Sequence, residues 1–311
     1  MNVLHQVSDL GRVPGPLHLA AGVFDGLHLG HAEVIDAASV SAREQGGTSV
    51  VVTFDPHPVQ VLAPSNAPRL LTSTRHQIEM LARNHGITNV LVVHFDEEFA
   101  AQTGEAFIQG LLEAAPEEGI GRICVGEDWQ FGKGRSGNID LLRRMGEEFG
   151  FAVTGVPTVE VLGDRVSSTR VREAVGAGDF DVAKQLLGRD YTVLGTVIKG
   201  RQIGRTIGFP TANLTVHSEQ LPPTGVYAVS VVGQGDGWNG VANLGYRPTV
   251  EGGDVKRVLE VHLFDMSSDI YGEELEVTFV KFLRGEETFD GIEALKTQIS
   301  LDVEAARSVF A

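Results

Sequence analysis

Two histidines, His28 and His31, stand three residues apart at the end of the segment GVFDGLHLGH, which also holds Gly22, Asp25 and Gly30. This spacing lets both imidazoles lie on the same side of a helix that begins there. A turn before a helix start offers unpaired backbone N–H groups and the positive end of the helix dipole, which suit a triphosphate. Imidazoles beside such groups can stabilise the charge that develops when an α-phosphate is attacked. The alternative interpretation is a pair of surface histidines near a turn.

A second segment, VSSTRVREAV, begins at Val166 and combines hydroxyl side chains with arginines. Ser168 and Thr169 suit the N-cap of a helix, while Arg170 and Arg172 bring fixed positive charge to the same first turn. An ordinary N-cap would explain the hydroxyl groups alone. The two arginines also supply the local cations that a polyphosphate needs in an acidic protein.

A glycine-rich stretch, GTVIKGRQIGRTIGFPTANL, lies in the second half of the chain. Glycine-rich backbone after a strand can bind phosphate through its N–H groups, although such a pattern is weak by itself and is often only a loop. The candidate phosphate-binding residues in this stretch are Gly200, Gly204, Arg205 and Gly208.

Three oxygen-bearing side chains of the second half could act beside such a phosphate site: two within the glycine-rich stretch and one on a later predicted strand. Thr211 and Asn213 of the PTAN sequence offer a hydroxyl and an amide oxygen two residues apart, and both are hard ligands suitable for Mg²⁺ beside nucleotide phosphates. Glu260 alternates with apolar residues in VLEVHLF, a pattern typical of a solvated strand residue, with His262 and Phe264 on the same face. Beside a Mg-ATP site, however, the Glu260 carboxylate could accept the proton of an attacking hydroxyl.

Short apolar segments must position the first two motifs. The candidate strands are LHLAAG, SVVVTF, NVLVVHF, RICVG and FAVTGV, with amphipathic segments between them, the first carrying Val34, Ile35, Ala38 and Ala42 on one stripe. Strands that are apolar throughout, each followed by a helix, indicate a parallel sheet covered on both faces. We therefore predict a doubly wound α/β domain over residues 1–187, with its ligand at the carboxyl ends of the strands.

The pattern changes near Tyr191 to segments of period two, separated by glycine, proline and aspartate turns. These segments are YTVLGTVI, GVYAVSVV, WNGVANL, RVLEVHLF and ELEVTFVKF, followed by a helical pattern with Ile292, Leu295, Ile299 and Val303 on one stripe. They predict a compact antiparallel β-barrel with a C-terminal helix docked on it. The second predicted domain covers residues 188–311.

Composition narrows the classes of function. The chain has 311 residues, 42% of them apolar, a formal charge of −16 and one cysteine, Cys124, which lies in an apolar run and is expected to be buried in a strand. One cysteine excludes an intrachain disulfide, and the negative charge disfavours nucleic acid and anionic membranes as partners. We expect a soluble cytoplasmic protein, monomeric or weakly homo-oligomeric, that meets its phosphorylated ligands with local cations and a metal.

The first two motifs resemble the HxGH and SSTxxR signatures of the nucleotidylyltransferase superfamily. The segments GVFDGLHLGH, TFDPHP and GEDWQFGKGRSGN follow one another in this order. In this respect the first half of the chain resembles the adenylyltransferase module of bacterial FAD synthetases, a Rossmann-like domain. The resemblance implies that His28 and His31 contact the ATP phosphates and that Ser168, Thr169 and Arg170 hold the β- and γ-phosphates. It further implies a flavin site formed by Asp55, Pro56, His57, Pro58 and Asp128.

The second half resembles the riboflavin kinase family over nearly all of residues 191–307, through GRTIGFPTANL, GVYAV, GVANLGYRPT, LEVHLFD, YGEEL and LRGEETF. This likeness assigns Thr211 and Asn213 to Mg-ATP, Glu260 to the general base acting on the ribityl 5′-hydroxyl, and the glycine-rich stretch to a phosphate lid. Both modules in this order are the arrangement of the bacterial bifunctional riboflavin kinase/FAD synthetases. The resemblance implies riboflavin, FMN and ATP as substrates and FAD as product.

Three alternatives remain on sequence grounds. The chain could be a riboflavin kinase whose N-terminal module has decayed, or a non-catalytic flavin or nucleotide sensor. It could also be a nucleotidylyltransferase for a substrate other than a flavin, which would leave the barrel unexplained. Retention of the phosphate-binding residues argues against the first alternative, and the histidine pair and Glu260 argue against the second.

Overall fold

The computed structural model describes residues 1–200, 204, 207–217, 219–233, 235–248, 255–266 and 268–311. Its contacts divide the chain into two compact units. The first comprises Met1–Arg69 and Thr74–Ser168, and the second comprises Leu70–Ser73 and Thr169–Ala311. The boundary predicted between residues 187 and 188 therefore falls within the second unit, because the residues from Thr169 onwards are grouped with the barrel by their contacts.

The first unit contains a parallel sheet of six strands, as predicted. The strands are β1 (Asn2–Leu4), β2 (Leu17–Ala21), β3 (Thr48–Asp55), β4 (Asn89–His94), β5 (Ile120–Gly126) and β6 (Ala152–Val156), in the order β1-β4-β3-β2-β5-β6. The sequence patterns indicated every strand except β1, which has three residues at the edge of the sheet. Cys124 is buried in β5, as expected, and burial raises the pKa of its thiol to about 11.

Helices cover both faces of this sheet. They are α1 (Leu29–Gln45), α2 (Pro58–Leu62), α3 (Thr74–His85), α4 (Glu97–Ala100), α5 (Gly104–Ala114) and α6 (Ile139–Phe149), with a small hairpin of β7 (Glu160–Val161) and β8 (Asp164–Arg165) following. The predicted stripe of α1 is buried in one of two apolar clusters of the unit, and the other cluster contains residues of α5 and α6. This arrangement confirms the doubly wound α/β class.

The order of the strands locates the ligand crevice. From β2 the chain proceeds outwards to β3 and β4, and it then returns to place β5 on the other side of β2. In an open α/β sheet, ligands bind outside the carboxyl ends of the strands where the order reverses. That point lies between β2 and β5.

The second unit contains a closed antiparallel barrel. After α7 (Ser168–Ala177) and α8 (Phe180–Leu187), the chain forms β9 (Thr192–Ile198), β10 (Ala212–Val216), β11 (Gly225–Gly233), β12 (Asp236–Pro248), β13 (Val255–Leu263) and β14 (Glu274–Arg284). They close in the order β10-β13-β12-β11-β14-β9. The predicted barrel is confirmed, and β10 is the strand that the sequence patterns did not indicate.

The C-terminal helix α9 (Ile292–Val309) packs on β11, β12 and β14 of the barrel. Leu259, Val261 and Leu263 of β13 are buried, as their alternation predicts. Phe264 is also buried, although it was expected on the outer face, because it joins an apolar cluster with Ala306 of α9. Ile292 of the predicted helix stripe is instead 62% exposed.

Candidate active sites

A cavity of about 320 Å³ lies at the carboxyl ends of β2 and β5, where the strand order places the crevice. Its lining brings together residues from the two sequence motifs and from the loop after β5. The polar and aromatic members include His28, His31, Asp128, Trp129, Arg165, Ser167 and Ser168, and the predicted Gly22 and Gly30 also line it.

The turn that enters this cavity has an unusual backbone. Phe24 and Leu27 have positive φ values of 54° and 44°, on either side of Gly26 at 84°. Positive φ is costly for residues with a side chain and persists where the surroundings impose it, often at functional sites. His28 then acts as the N-cap of α1, and its Nδ1 accepts a hydrogen bond from the His31 backbone N–H at 3.3 Å. The turn therefore presents the start of α1 to the cavity.

The two imidazoles lie against each other. Their ring centroids are 3.5 Å apart with an interplanar angle of 17°. The Phe24 ring is perpendicular to that of His31, with centroids 5.4 Å apart. Burial lowers the pKa of His28 to about 4, assisted by the nearby Arg165 charge. Burial and His28 together hold the pKa of His31 well below its usual value. Both rings are therefore neutral near pH 7 and can serve as N–H donors.

One ring nitrogen of this pair lacks a hydrogen-bond partner among the described residues. The Nδ1 atom of His31 is buried and has no hydrogen-bond partner among the residues that the structure describes. Unsatisfied buried polar atoms are rare in folded proteins, and a functional site is one of the established reasons for them.

The structure joins the two N-terminal motifs directly. The Ser168 hydroxyl donates a hydrogen bond of 2.9 Å to the backbone carbonyl of Asp25, whose side chain is buried. Ser168 is the first residue of α7, and Thr169 and Arg170 follow it in the first turn of that helix. Ser168 at the start of the helix thus meets the histidine turn, and the role of both segments in binding phosphate stays a prediction.

Arg165 and Trp129 are cavity residues to which the sequence analysis gave no role. Arg165 lies on β8 and forms an ion pair with Asp128, while the Trp129 ring stacks on Phe131 with centroids 4.3 Å apart. The signal for Arg165 was its place immediately before the VSSTR sequence. A guanidinium here adds a fixed positive charge to a cavity suited to phosphates.

The predicted flavin residues are not all brought together. Asp128 lines the cavity, but the described lining does not include Asp55, Pro56, His57 or Pro58. Asp55 ends β3 and accepts a 2.7 Å hydrogen bond from the Thr74 hydroxyl, and His57 caps α2 through its Nδ1. These four residues therefore lie at the carboxyl end of the neighbouring strand, and their role in binding flavin stays a prediction.

The neutral histidine pair predicts how the first unit responds to acid. An unfolded histidine binds a proton near pH 6.5, whereas folded His28 does so only near pH 4. Stability from this group is therefore complete above pH 6.5 and is lost as the pH falls towards 4, by up to about 1.4 kcal/mol per pH unit. His31 adds a loss in the same direction.

This loss can be followed by urea unfolding at pH 7 and pH 5 in a Trp238→Phe chain, where Trp129 reports on the first unit. We expect a lower unfolding free energy at pH 5, and a smaller drop after His28→Asn. An equal drop in the two chains would contradict the assignment.

The candidate site of the second unit is organised around Glu260 on β13. The pairing of the strands places Asn213 of β10 and Asn243 of β12 opposite Glu260, one on each side. Residues paired across antiparallel strands share a face of the sheet, so these three polar side chains form one row. Asn243 was not singled out from the sequence, because its importance depends on this pairing.

The glycine-rich stretch lies against the predicted metal ligands. A Cβ atom at Gly200 would collide with the Asn213 side chain, and one at Gly204 would collide with the Phe209 carbonyl and lie 3.3 Å from the Thr211 hydroxyl. Gly208 has a φ of 92°, which favours glycine. Close approach to the Asn213 side chain therefore explains Gly200, and close approach to the Phe209 carbonyl explains Gly204. Arg205 lies outside the described residues.

Thr211 lies between two cavities. One, of about 440 Å³, is lined by residues that include Val197, Thr211 and Tyr271. The other, of about 360 Å³, is lined by Gly204, Phe209, Thr211, Asn243, Glu260, Arg284, Glu286, Phe289, Leu295 and Ile299 among others. The His262 Nδ1 donates a 2.8 Å hydrogen bond to the Pro210 carbonyl, which ties the residue before Thr211 to β13.

The far wall of the second cavity is fixed by an ion pair between β14 and α9. The Arg284 guanidinium donates to both carboxylate oxygens of Asp302, at 2.8 and 2.7 Å, and lies 5.8 Å from the centre of the Phe289 ring. Bidentate pairs of this kind have fixed geometry. The wall thereby combines a rigid polar support with the apolar side chains of Phe289, Leu295 and Ile299.

Both halves of the chain match known protein families. Residues 12–170 match the family described as FAD synthetase, and residues 187–310 match the family described as riboflavin kinase. A bifunctional riboflavin kinase/FMN adenylyltransferase from Pseudomonas fluorescens is 42% identical over 93% of this chain and 92% of its own length. One from Escherichia coli K12 is 38% identical over 100% of this chain and 98% of its own length.

A solved structure has the same fold over almost the whole chain. A crystal structure described as a macrolide-efflux protein from Streptococcus pneumoniae is 31% identical, with a TM-score of 0.82 over 98% of each chain. In the part of the present chain that the structure describes, no helix is long and apolar enough to cross a membrane.

Proposed function

We infer the function of this chain from the family to which it belongs, the bifunctional riboflavin kinase/FMN adenylyltransferases. The chain converts riboflavin to FMN and FMN to FAD, each time with ATP. Phosphorylation is assigned to the barrel unit and adenylyl transfer to the α/β unit. The observation that carries this conclusion is the presence of both family domains, in order, over nearly the whole chain.

We propose that the kinase reaction takes place at Thr211, which lines two cavities of the barrel unit. We propose that the cavity beside Glu260 takes riboflavin, because it combines the apolar surfaces of Phe289, Leu295 and Ile299 with a carboxylate. The cavity on the other side of Thr211 then takes ATP. This arrangement would aim the ribityl 5′-hydroxyl at the γ-phosphorus, while Glu260 accepts the hydroxyl proton and ADP leaves.

We propose that adenylyl transfer takes place in the cavity at the carboxyl ends of β2 and β5. The FMN phosphate attacks the α-phosphorus of ATP and pyrophosphate leaves. Since that phosphate is already anionic near neutral pH, the step needs stabilisation of charge more than a base. We propose that His28 and His31 supply neutral N–H donors, while Arg165 supplies fixed charge.

The flavin in this reaction needs an apolar surface as well as a phosphate site. Trp129 lines the cavity and is stacked on Phe131, so we propose that its ring borders the isoalloxazine or adenine ring. Asp128 is held beside it through Arg165.

Mg²⁺ is proposed as the metal for both reactions. The described residues contain no group of three or more histidines, cysteines and carboxylates that could hold a metal ion. Thr211 and Asn213 are instead hard oxygen donors covered by glycine backbone, which fits a cation that is held mainly by water and nucleotide phosphates. When bound, Mg²⁺ would neutralise charge on the phosphates.

The alternatives to a bifunctional enzyme are disfavoured by the geometry. A decayed N-terminal module would not be expected to retain the buried histidine pair with Ser168 bonded to the Asp25 carbonyl. In the barrel, Glu260 lies between Asn213 and Asn243 on the neighbouring strands. A protein that only senses a flavin or nucleotide would not need a carboxylate at this position. The cytoplasmic location and the monomeric or weakly homo-oligomeric state stay predictions.

The function is tested by incubating the protein with riboflavin, ATP and Mg²⁺ and separating the flavins by liquid chromatography. We expect FMN to appear first and FAD to follow, and both conversions to stop in excess EDTA. FMN without FAD would support the monofunctional alternative, and no conversion would support the sensor. Undiminished conversion in EDTA would contradict the metal requirement.

Independence of the barrel is a separate prediction. A chain that begins near Leu187 should fold and make FMN. A chain that begins at Thr169 should melt several degrees higher, because it retains Phe180, whose ring stacks on Phe279 at 5.9 Å and meets Tyr227 edge-on at 6.0 Å. Calorimetry and the FMN assay check both statements, and a folded shorter chain without kinase activity would refute the independent site.

A further inference from the structure

The backbone carbonyl of Val23 is held by two buried side chains. It accepts hydrogen bonds from the Thr53 hydroxyl at 3.0 Å and from the Gln77 amide nitrogen at 2.9 Å. The Thr53 hydroxyl also lies 3.3 Å from the Gln77 amide oxygen, so the three groups form a closed set. Thr53 is fully buried and Gln77 is 5% exposed. These contacts link β3 and α3 to Val23, which lies two residues beyond the end of β2.

Val23 lies where the backbone leaves the sheet and changes direction. Gly22 still donates its N–H to Val52 of the sheet, whereas the next residue but one, Phe24, has the positive φ of 54° that starts the histidine turn. Side chains therefore replace the sheet as hydrogen-bond partners at the position where the chain changes direction. Because a buried carbonyl needs partners, the two side chains favour one orientation of the peptide that follows Val23.

The orientation of the peptide that follows Val23 also determines the surroundings of the two histidines. The Phe24 ring is 2% exposed and packs perpendicular to the ring of His31, which in turn stacks on His28. A rotation of the Val23–Phe24 peptide would move the Phe24 ring and remove the surface against which His31 rests. Groups that act on a transition state must be held within a fraction of an ångström, and a displacement of about 1 Å can cost about 100-fold in rate.

We propose that Gln77, together with Thr53, is a positioning residue for adenylyl transfer, which holds the Val23 carbonyl and thereby the turn that carries His28 and His31. The proposal rests on the function proposed above for the first unit. Gln77 has no direct role in the chemistry, because its amide is buried behind the turn and bonded to the backbone.

The test compares Gln77→Met, which removes the amide and keeps an unbranched side chain, with Gln109→Met at an exposed glutamine of the same unit. We expect Gln77→Met to lower kcat for FAD formation from FMN by about 10- to 100-fold, with a smaller change in KM. Riboflavin phosphorylation by the same chain should be unchanged. The imidazole NMR signals of His28 and His31 should shift in Gln77→Met and stay in place in Gln109→Met.

A second pair of variants keeps the test valid if Gln77→Met does not fold. Thr53→Val should lower FAD formation, whereas Thr53→Ser, which retains the hydroxyl, should preserve it. A folded Gln77→Met protein with the wild-type rate and unshifted imidazole signals would overturn the proposal, as would equal losses in both activities. Failure of the wild-type protein to make FAD would instead refute the function proposed for the unit, and the imidazole signals would still test the positioning.

Discussion

Glu260→Gln should abolish most of the riboflavin phosphorylation while FMN supplied from outside is still converted to FAD. A positioned general base contributes about 10² to 10⁴ in rate, so we expect a loss of that size in kcat. Glutamine keeps the length of the side chain and its place between Asn213 and Asn243, but its amide cannot accept the hydroxyl proton. Steady-state rates of FMN formation and FAD formation, measured separately on one preparation, check the prediction.

The matched control is Glu304→Gln, at an exposed glutamate on α9 of the same unit, which should leave both rates unchanged. Thermal melts must show that Glu260→Gln remains folded. A folded variant that keeps the wild-type kinase rate would remove Glu260 from the mechanism. A folded variant that loses both activities equally would require a shared or strongly coupled site in place of two separate ones.

The change of hydrophobic period along the chain was sufficient to predict both folds. Fully apolar strands separated by amphipathic helices have one common solution, a covered parallel sheet, and period-two segments with short turns favour a barrel. The short strands were harder to predict from the sequence. β1 has three residues, and β10 lies within PTANL, where residues with candidate ligand atoms obscure the alternation of a strand.

The alternation of apolar and polar residues does not predict which side chains on the outer face of the barrel are buried. The alternation in β13 assigns Phe264 to the same face as Glu260 and His262, and a strand pattern by itself treats that face as solvated. The face is partly covered by α9, so Phe264 is buried while Glu260 borders a cavity. Only the packing of a distant helix decides between these environments.

The candidate sites were predictable where the chain order determines them. His28 and His31 share one helix start, and the rule for open α/β sheets places the strand ends beside them. Asn243 and Gln77 could not be found in this way, because their importance arises from strand register and from a hydrogen bond to a carbonyl 54 residues away. Arg165 could have been identified from the sequence, since it directly precedes the VSSTR motif.

The paired change of His28→Ala and His31→Ala should abolish FAD formation and leave FMN formation from riboflavin intact. Loss of one donor that acts on the transition state costs about 10² to 10³ in rate, so the double variant should retain less than about one hundredth of the wild-type rate. Since both rings are neutral near pH 7, we expect them to act as N–H donors and not as cations. The FAD-forming rate of the wild-type protein should therefore show no histidine titration between pH 6 and pH 8.

His94→Ala provides the control, because the His94 side chain is 74% exposed on the same unit and should be dispensable for both reactions. Thermal melts must show that the first unit of the double variant is folded, because kinase activity reports only on the barrel unit. If the double variant is folded and still makes FAD at a rate near that of the wild type, the cavity at the ends of β2 and β5 is not the adenylylation site. If the wild-type rate instead falls with a single pKa near 6.5 as the pH rises, the histidines act as imidazolium ions, and the neutral-donor mechanism is wrong.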